Sequence, residues 1–396
     1  MTDDRHIRVQ VHGAEVPVQR ETFTLLLGSS PARRRAAYEP ALTNGSITFD
    51  KLVGLARAAD IPYALFFGSH ERALYQVNRK NRLILNGISK DIFAVNSRSE
   101  VELADVELIV KDLIRKQQEL KTRDSTLQAN TIVGCLKGSR SGVVADAARL
   151  RTLLGLSLED LRRAKGKERA LEHLITLLEA RQLLVSQSQE KVMLQQLPRG
   201  RSFSGLCVKD KKIPYLFITG GEESDRYEPA GRRILTLALL VALVARNEFK
   251  AVTFDSHTAE VPPGPQWELA EELVMPRDEV SHLAVDSIEA VRAGADHFCV
   301  TPSAFTVRAL RLKLIDRDTA VSTLDGLRAA YAEVPKTQPR SPRMITAVRK
   351  YAGHEYTARM LHQVDRGQLS QSDFCRIVAL NRMRPAALPD LRATLA

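Results

Sequence analysis

Hydrophobic positions recur with two different periods along the chain, and the changes between them lay out the elements. In IRVQVHGAEVPVQ, Ile7, Val9 and Val11 stand at period two, which predicts a short strand pair turning near Gly13. Ser30 can cap and Pro31 suits a first helical position, so SSPARRRAAYEP reads as a short helix that closes before Pro40. A turn at Asn44-Gly45 leads to a second helix, in which Leu52, Leu55, Ala56 and Ala59 recur at helical spacing until Pro62 stops them. Val101, Val106, Leu108, Ile109, Leu113 and Leu120 form one face of a longer helix of about six turns.

The segment KGSRSG, 137–142, reads as a mobile linker, followed by helices in AARLRTLLGLSLEDLRR and ERALEHLITLLEARQLLV. From Val185 to Thr219 the pattern alternates as strands: VSQ, KVMLQQL, GLCVKD and IPYLFIT. The helix ILTLALLVALVA comes next, then helices around 267–274, 280–293 and 302–314. After the Pro-rich KTQPRSPR the remaining residues read as short helices packed on one another. No repeat of solenoid period is present. The expected class is α+β and mostly helical, divided into an N-terminal region (1–70), a helical connector (71–140), an α+β domain (141–335) and a basic helical C-terminal tail (336–396).

At 396 residues with 44% apolar and 27% charged composition, the chain can bury sizeable cores and is not a disordered sequence. Cys135, Cys207, Cys299 and Cys375 form no CxxC pair, which argues against a zinc knuckle or a disulfide framework and for a reducing cytoplasm. The N-terminus has no signal-peptide h-region, and no stretch reaches the roughly 20 apolar residues of a membrane span. The net charge is +11, and its distribution is uneven: residues 201–335 carry 16 basic against 20 acidic side chains, residues 336–396 carry 11 against 4. A nucleic-acid or acidic partner therefore suits the flanking regions better than the centre.

From about 145 to 335 the chain resembles the ImmA/IrrE family of metallopeptidase-like domains. The resemblance rests on ordered blocks: LEARQLLVSQ, GLCVKDKKIPYLFIT, RRILTLALL, ELAEELVMP and FCVTPSAFTVRALRLKLI. In that family the central helix carries HExxH, whose histidines bind zinc while the glutamate activates water. The alignment puts Leu239, Leu240, Val241, Ala242 and Leu243 at those positions, and the third-ligand position falls on or near Pro265, with Glu268 one turn nearer Met275-Pro276. None of these can replace imidazole or carboxylate at zinc, except Glu268, which is out of register. The residues agree on their own terms, because Ile234 to Ala245 is apolar on all faces but for Thr236, as in a buried central helix. No metal, cofactor or catalytic residue is expected. The nine histidines include no i, i+4 pair, GxSxG and phosphate-loop patterns are absent, and EESDRYE (222–228) reads as a solvated acidic loop.

The run AAYEPALTNGSITFDKLVGLARAADIPYALFF resembles the later helices of an Xre-type helix-turn-helix. That resemblance implies DNA contact from the helix at Ser30, with Arg33, Arg34 and Arg35 near its start and Lys51 on the next helix. Arg340, Arg343, Arg349 and Lys350 in the basic tail are the second set of candidate phosphate contacts. The two resemblances together imply a non-enzymatic transcriptional regulator or phage-immunity repressor, with DNA as partner and a homodimer matching palindromic half-sites. The alternative is an antitoxin that masks a co-encoded, nuclease-like toxin. A third reading, an active hydrolase, needs a site the sequence does not display.

Overall fold

The computed structural model describes residues 5–28, 30–59, 61–85, 103–189, 192–193, 197, 203–220, 228–253, 264–332 and 343–395. Strands β1 (His6–Val11) and β2 (Ala14–Gln19) pair antiparallel through a two-residue turn, His12-Gly13, with both residues at positive φ. This is the turn hand that suits strand twist, and Gly13 accepts it without strain. Helix α1 (Arg20–Leu27) follows. The helix expected from Ser30 to Pro40 is instead a 3-10 turn, Pro31–Arg34. The Ser30 hydroxyl caps it by accepting from Ala32 N at 3.3 Å, but Arg35 is extended and ends it. The chain restarts as α2 (Tyr38–Asn44), which contains Pro40 in its first turn, where the missing N–H breaks no helical bond. Gly45 then turns the chain into β3 (Ser46–Thr48), an unanticipated strand parallel to β1, before α3 (Phe49–Ala58) and α4 (His70–Leu85). These elements close over a core in which the Phe23 ring stacks on Tyr38 at 5.8 Å and meets Phe66 at 5.9 Å.

Helix α5 (Leu103–Arg123) buries Val106, Ile109, Leu113 and Leu120 of the predicted face; Leu108 is only half-buried, and Val101 lies outside the described residues. Helices α6 (Val143–Leu154) and α7 (Leu158–Arg163) replace the single expected run, because Gly155 at positive φ closes the first and Ser157 caps the second. The 137–142 segment is a series of turns held at both ends. Leu136 N bonds to Ala245 O at 2.8 Å and the Ser139 hydroxyl to Asp146 at 2.6 Å, so it does not behave as a free linker. Helix α8 (Lys167–Ala180) leads to β4 (Leu184–Gln187), β5 (Phe203–Val208) and β6 (Tyr215–Ile218). The expected strand KVMLQQL is not one where it is described: Val192 and Met193 bond back to Gln189 O as a turn, and most of the rest lies outside the described residues.

Helix α9 (Ala230–Ala245), strand β7 (Ala251–Thr253) and α10 (Pro265–Val274) come next. The helix expected at 280–293 is broken into α11 (Arg277–Val280) and α12 (Ile288–His297), the second capped by Ser287. Helices α13 (Pro302–Arg311) and α14 (Arg317–Ala332) precede α15 (Met344–Ala352), α16 (His354–Asp365), α17 (Gln371–Ile377) and α18 (Leu388–Ala393). No helix among the described residues is long and apolar enough to cross a membrane.

The second sheet runs β4-β6-β5-β7, with β4 parallel to β6 and β5 antiparallel to its neighbours. Its strands are buried on both faces, and their alternation divides two cores. Val185, Cys207, Leu216 and Ile218 face the cluster built around α9 and α10, whereas Leu184, Leu206, Val208, Tyr215 and Phe217 face the cluster built from α5 and α15–α18. The C-terminal helices are thus one cover of the sheet and not an appended tail. Gly205 lets α9 approach, since a Cβ there would lie 2.5 Å from Phe217 O and 3.2 Å from the Thr236 methyl.

Candidate functional site

Leu239, Leu240, Val241, Ala242 and Leu243 are all buried in the α9 core. Every residue of α9 after Arg232 is buried, so these positions fill a core and open on no cleft. Pro265 and Glu268 stand exposed on the first turn of α10. Among the described residues no three His, Cys, Asp or Glu side chains gather in a way that could hold a metal.

The carboxylates near α9 are held by structural partners. Glu271 and Glu272 on α10 are buried against Arg308 and Arg311 on α13. Burial pushes the Glu271 carboxyl up, and Arg311 and Arg308 counter it. The Arg308 guanidinium also donates from Nε to Met275 O at 3.2 Å, which ties the Met-Pro turn to α13. Glu228 corrects the sequence reading of 222–228 as solvated: it is buried before α9, accepting from the Ser204 hydroxyl at 2.6 Å and from the Thr219 hydroxyl. Burial raises its pKa, opposed by those two hydroxyl bonds. Glu222, Glu223 and Asp225 lie outside the described residues. No local signal marks Glu228, because its partners come from β5 and the end of β6.

The basic candidates fall on two different cores. Arg33, Arg34 and Arg35 share the 3-10 turn and its C-cap, and that turn packs on α3, which carries the exposed Lys51. Arg35 is exposed and Arg33 is half-buried. On α15, Arg343 is exposed at the N-cap and Lys350 is half-buried. Arg349 donates from Nη1 to Thr394 O at 2.5 Å, so its charge serves the C-terminal end of α18. Arg340 lies outside the described residues. Comparison with known family models, with curated proteins and with solved structures gives no match for this chain.

Proposed function

We propose that the chain is a non-enzymatic, cytoplasmic DNA-binding regulator, a transcriptional regulator or phage-immunity repressor, built on an ImmA/IrrE-like scaffold whose catalytic helix has become core. The observation that carries the non-enzymatic half is the burial of Leu239 to Leu243 within α9. A charge or metal at those positions would have to be desolvated among aliphatic side chains, at a large free-energy cost. What supports DNA contact is the pairing of the Arg33–Arg35 turn with α3, which presents Arg35 and Lys51 to solvent from two elements packed together. Guanidinium and ammonium groups so placed suit phosphate contact, which positions a protein on a duplex before any base is read.

The antitoxin reading has one observation in its favour. Tyr63, Phe67, Leu74 and Tyr75 are large apolar side chains exposed within one short stretch of the N-terminal unit. Large apolar side chains left in water suit a protein contact, where docking would cover them. Pull-down of the full chain from its native host, with sequencing of bound DNA and identification of bound protein, separates the two. Enrichment of a discrete DNA site supports the regulator. A one-to-one complex with the product of the neighbouring reading frame and no enriched DNA overturns it in favour of the antitoxin.

A further inference from the structure

The C-terminal end of α5 and one face of α16 enclose a polar cleft of about 320 Å³. That volume sits at the small end of metabolite pockets. Its wall is built in advance. Arg359 donates from Nη1 to Asp124 at 2.7 Å and from Nε to Glu355 at 2.6 Å, while the other Asp124 oxygen accepts from Thr126 N at 2.9 Å. Burial works against a charge on Asp124, but hydrogen bonds from Thr126 and Arg359 overcome it and hold the carboxyl below its ordinary range. These three charges satisfy one another and leave little for a ligand.

The remaining lining groups are different. His362, in the last turn of α16, and Arg366, at its C-cap, are exposed four residues apart, and Arg366 makes no ion pair among the described residues. Gln363 is 3% exposed, lines the cleft, and its Oε1 has no hydrogen-bond partner among the described residues. A buried amide oxygen left unpaired costs about 1–3 kcal/mol, which an entering donor would recover. The cleft therefore offers a cationic edge and, beside it, an acceptor without a donor.

We propose that this cleft binds a small phosphate monoester, with the phosphate on Arg366 and His362 and an N–H or O–H donor of the same molecule on Gln363. A guanidinium holds phosphate by paired, charge-assisted bonds. Two sources share this chemistry, a sugar phosphate and a nucleoside monophosphate, and either has the bulk for the cleft. The site is independent of the DNA-binding reading, since none of its residues belongs to the candidate DNA contacts.

Calorimetric titration of the full chain with ribose 5-phosphate, the four nucleoside 5′-monophosphates, the matching nucleosides and inorganic phosphate tests this directly. At least one monoester should bind one-to-one, about tenfold or more tighter than its nucleoside or than inorganic phosphate. Arg366→Ala, at an exposed position, should weaken that binding about tenfold, and Gln363→Leu should weaken the monoester while leaving inorganic phosphate unchanged. Binding by ribose 5-phosphate alone identifies a sugar-phosphate site, and preference among the monophosphates a nucleotide site. The proposal is overturned if no monoester binds at millimolar concentration, if inorganic phosphate binds equally well, or if Arg366→Ala leaves affinity unchanged.

Discussion

Lys116 Nζ lies 3.1 Å from Asp112 Oδ2 one turn back on α5, and both side chains are wholly out of water. The pair is held from two other elements. Lys116 also donates to Tyr351 O at 2.9 Å, the Tyr351 hydroxyl donates to Asp112 Oδ2 at 2.8 Å, and the Ser186 hydroxyl donates to that same Tyr351 carbonyl at 2.6 Å. Burial works against a charge on Asp112, but Lys116 and Arg115 outweigh it and hold its pKa down. The cluster thus joins α5, β4 and α15. Without Lys116, Asp112 keeps the Arg115 guanidinium and the Tyr351 hydroxyl, so Lys116→Met and Tyr351→Phe should each cost about 1–3 kcal/mol in urea unfolding. A Lys116→Met loss below about 1 kcal/mol would show that the pair contributes little.

Glu179, at the end of α8, reaches the start of α16: its carboxyl accepts from Val185 N at 3.2 Å and from Glu355 N at 3.2 Å. Burial pushes its pKa from the ordinary 4.5 up to about 8, against those backbone bonds. The folded state therefore holds a proton that the unfolded chain releases between these two values. The associated stability is complete below about 4.5 and declines as pH rises toward about 8. Glu179→Gln removes this proton linkage. The difference in melting temperature, variant minus wild type, should rise from pH 5 to pH 8 and level off above; a flat difference would contradict the assignment.

Packing at the N-terminal end of α9 makes a sharper steric prediction. A Cβ at Gly231 would lie 2.6 Å from Val300 C and 2.8 Å from Thr301 N, both backbone atoms. Gly231→Ala should destabilise by about 1–3 kcal/mol. Gly54, inside α3 with nothing within 4 Å of its would-be Cβ, provides the opposite case. There Ala should stabilise by about 0.5–1 kcal/mol, because it removes backbone freedom from the unfolded chain. Equal effects at the two positions in chemical denaturation would refute this packing of α9 on the 300–301 turn.

Metal analysis checks the proposal that α9 carries no zinc site. With Leu239 and Leu243 in the core, and Pro265 where the proposed ImmA/IrrE-like alignment puts the third ligand, purified protein should carry less than about a tenth of an equivalent of zinc. A stoichiometric metal content that survives dialysis would mean that ligands come from elsewhere in the chain.

Much of this architecture is legible in the sequence, and the rest is not for identifiable reasons. The all-round apolar run of α9, the face of α5 and strands β4, β5 and β6 are signalled by local runs of apolar residues, because the buried positions dominate each of these stretches. The Ser30 segment misleads because Ser-Pro is as good a start for a 3-10 turn as for a helix, and only Arg35 adopting extended backbone decides between them. Strands β3 and β7, three residues each, are too short to show alternation. The role of the C-terminal helices depends on the sheet face that Tyr215 and Phe217 present, a contact across more than a hundred residues. Glu228 and Gln363 escape notice for the same reason: what distinguishes them is burial and partners, both long-range.

The DNA-binding claim is tested most directly by fluorescence anisotropy of the full chain with duplex DNA from upstream of its own reading frame, titrated from 50 to 200 mM salt. Binding should fall steeply with salt, and Arg33→Ala with Arg34→Ala and Arg35→Ala should weaken it and flatten the log–log slope by about 0.9 for each phosphate no longer neutralised. Binding that is undetectable at low salt, or that is indifferent both to salt and to these three substitutions, would contradict the account.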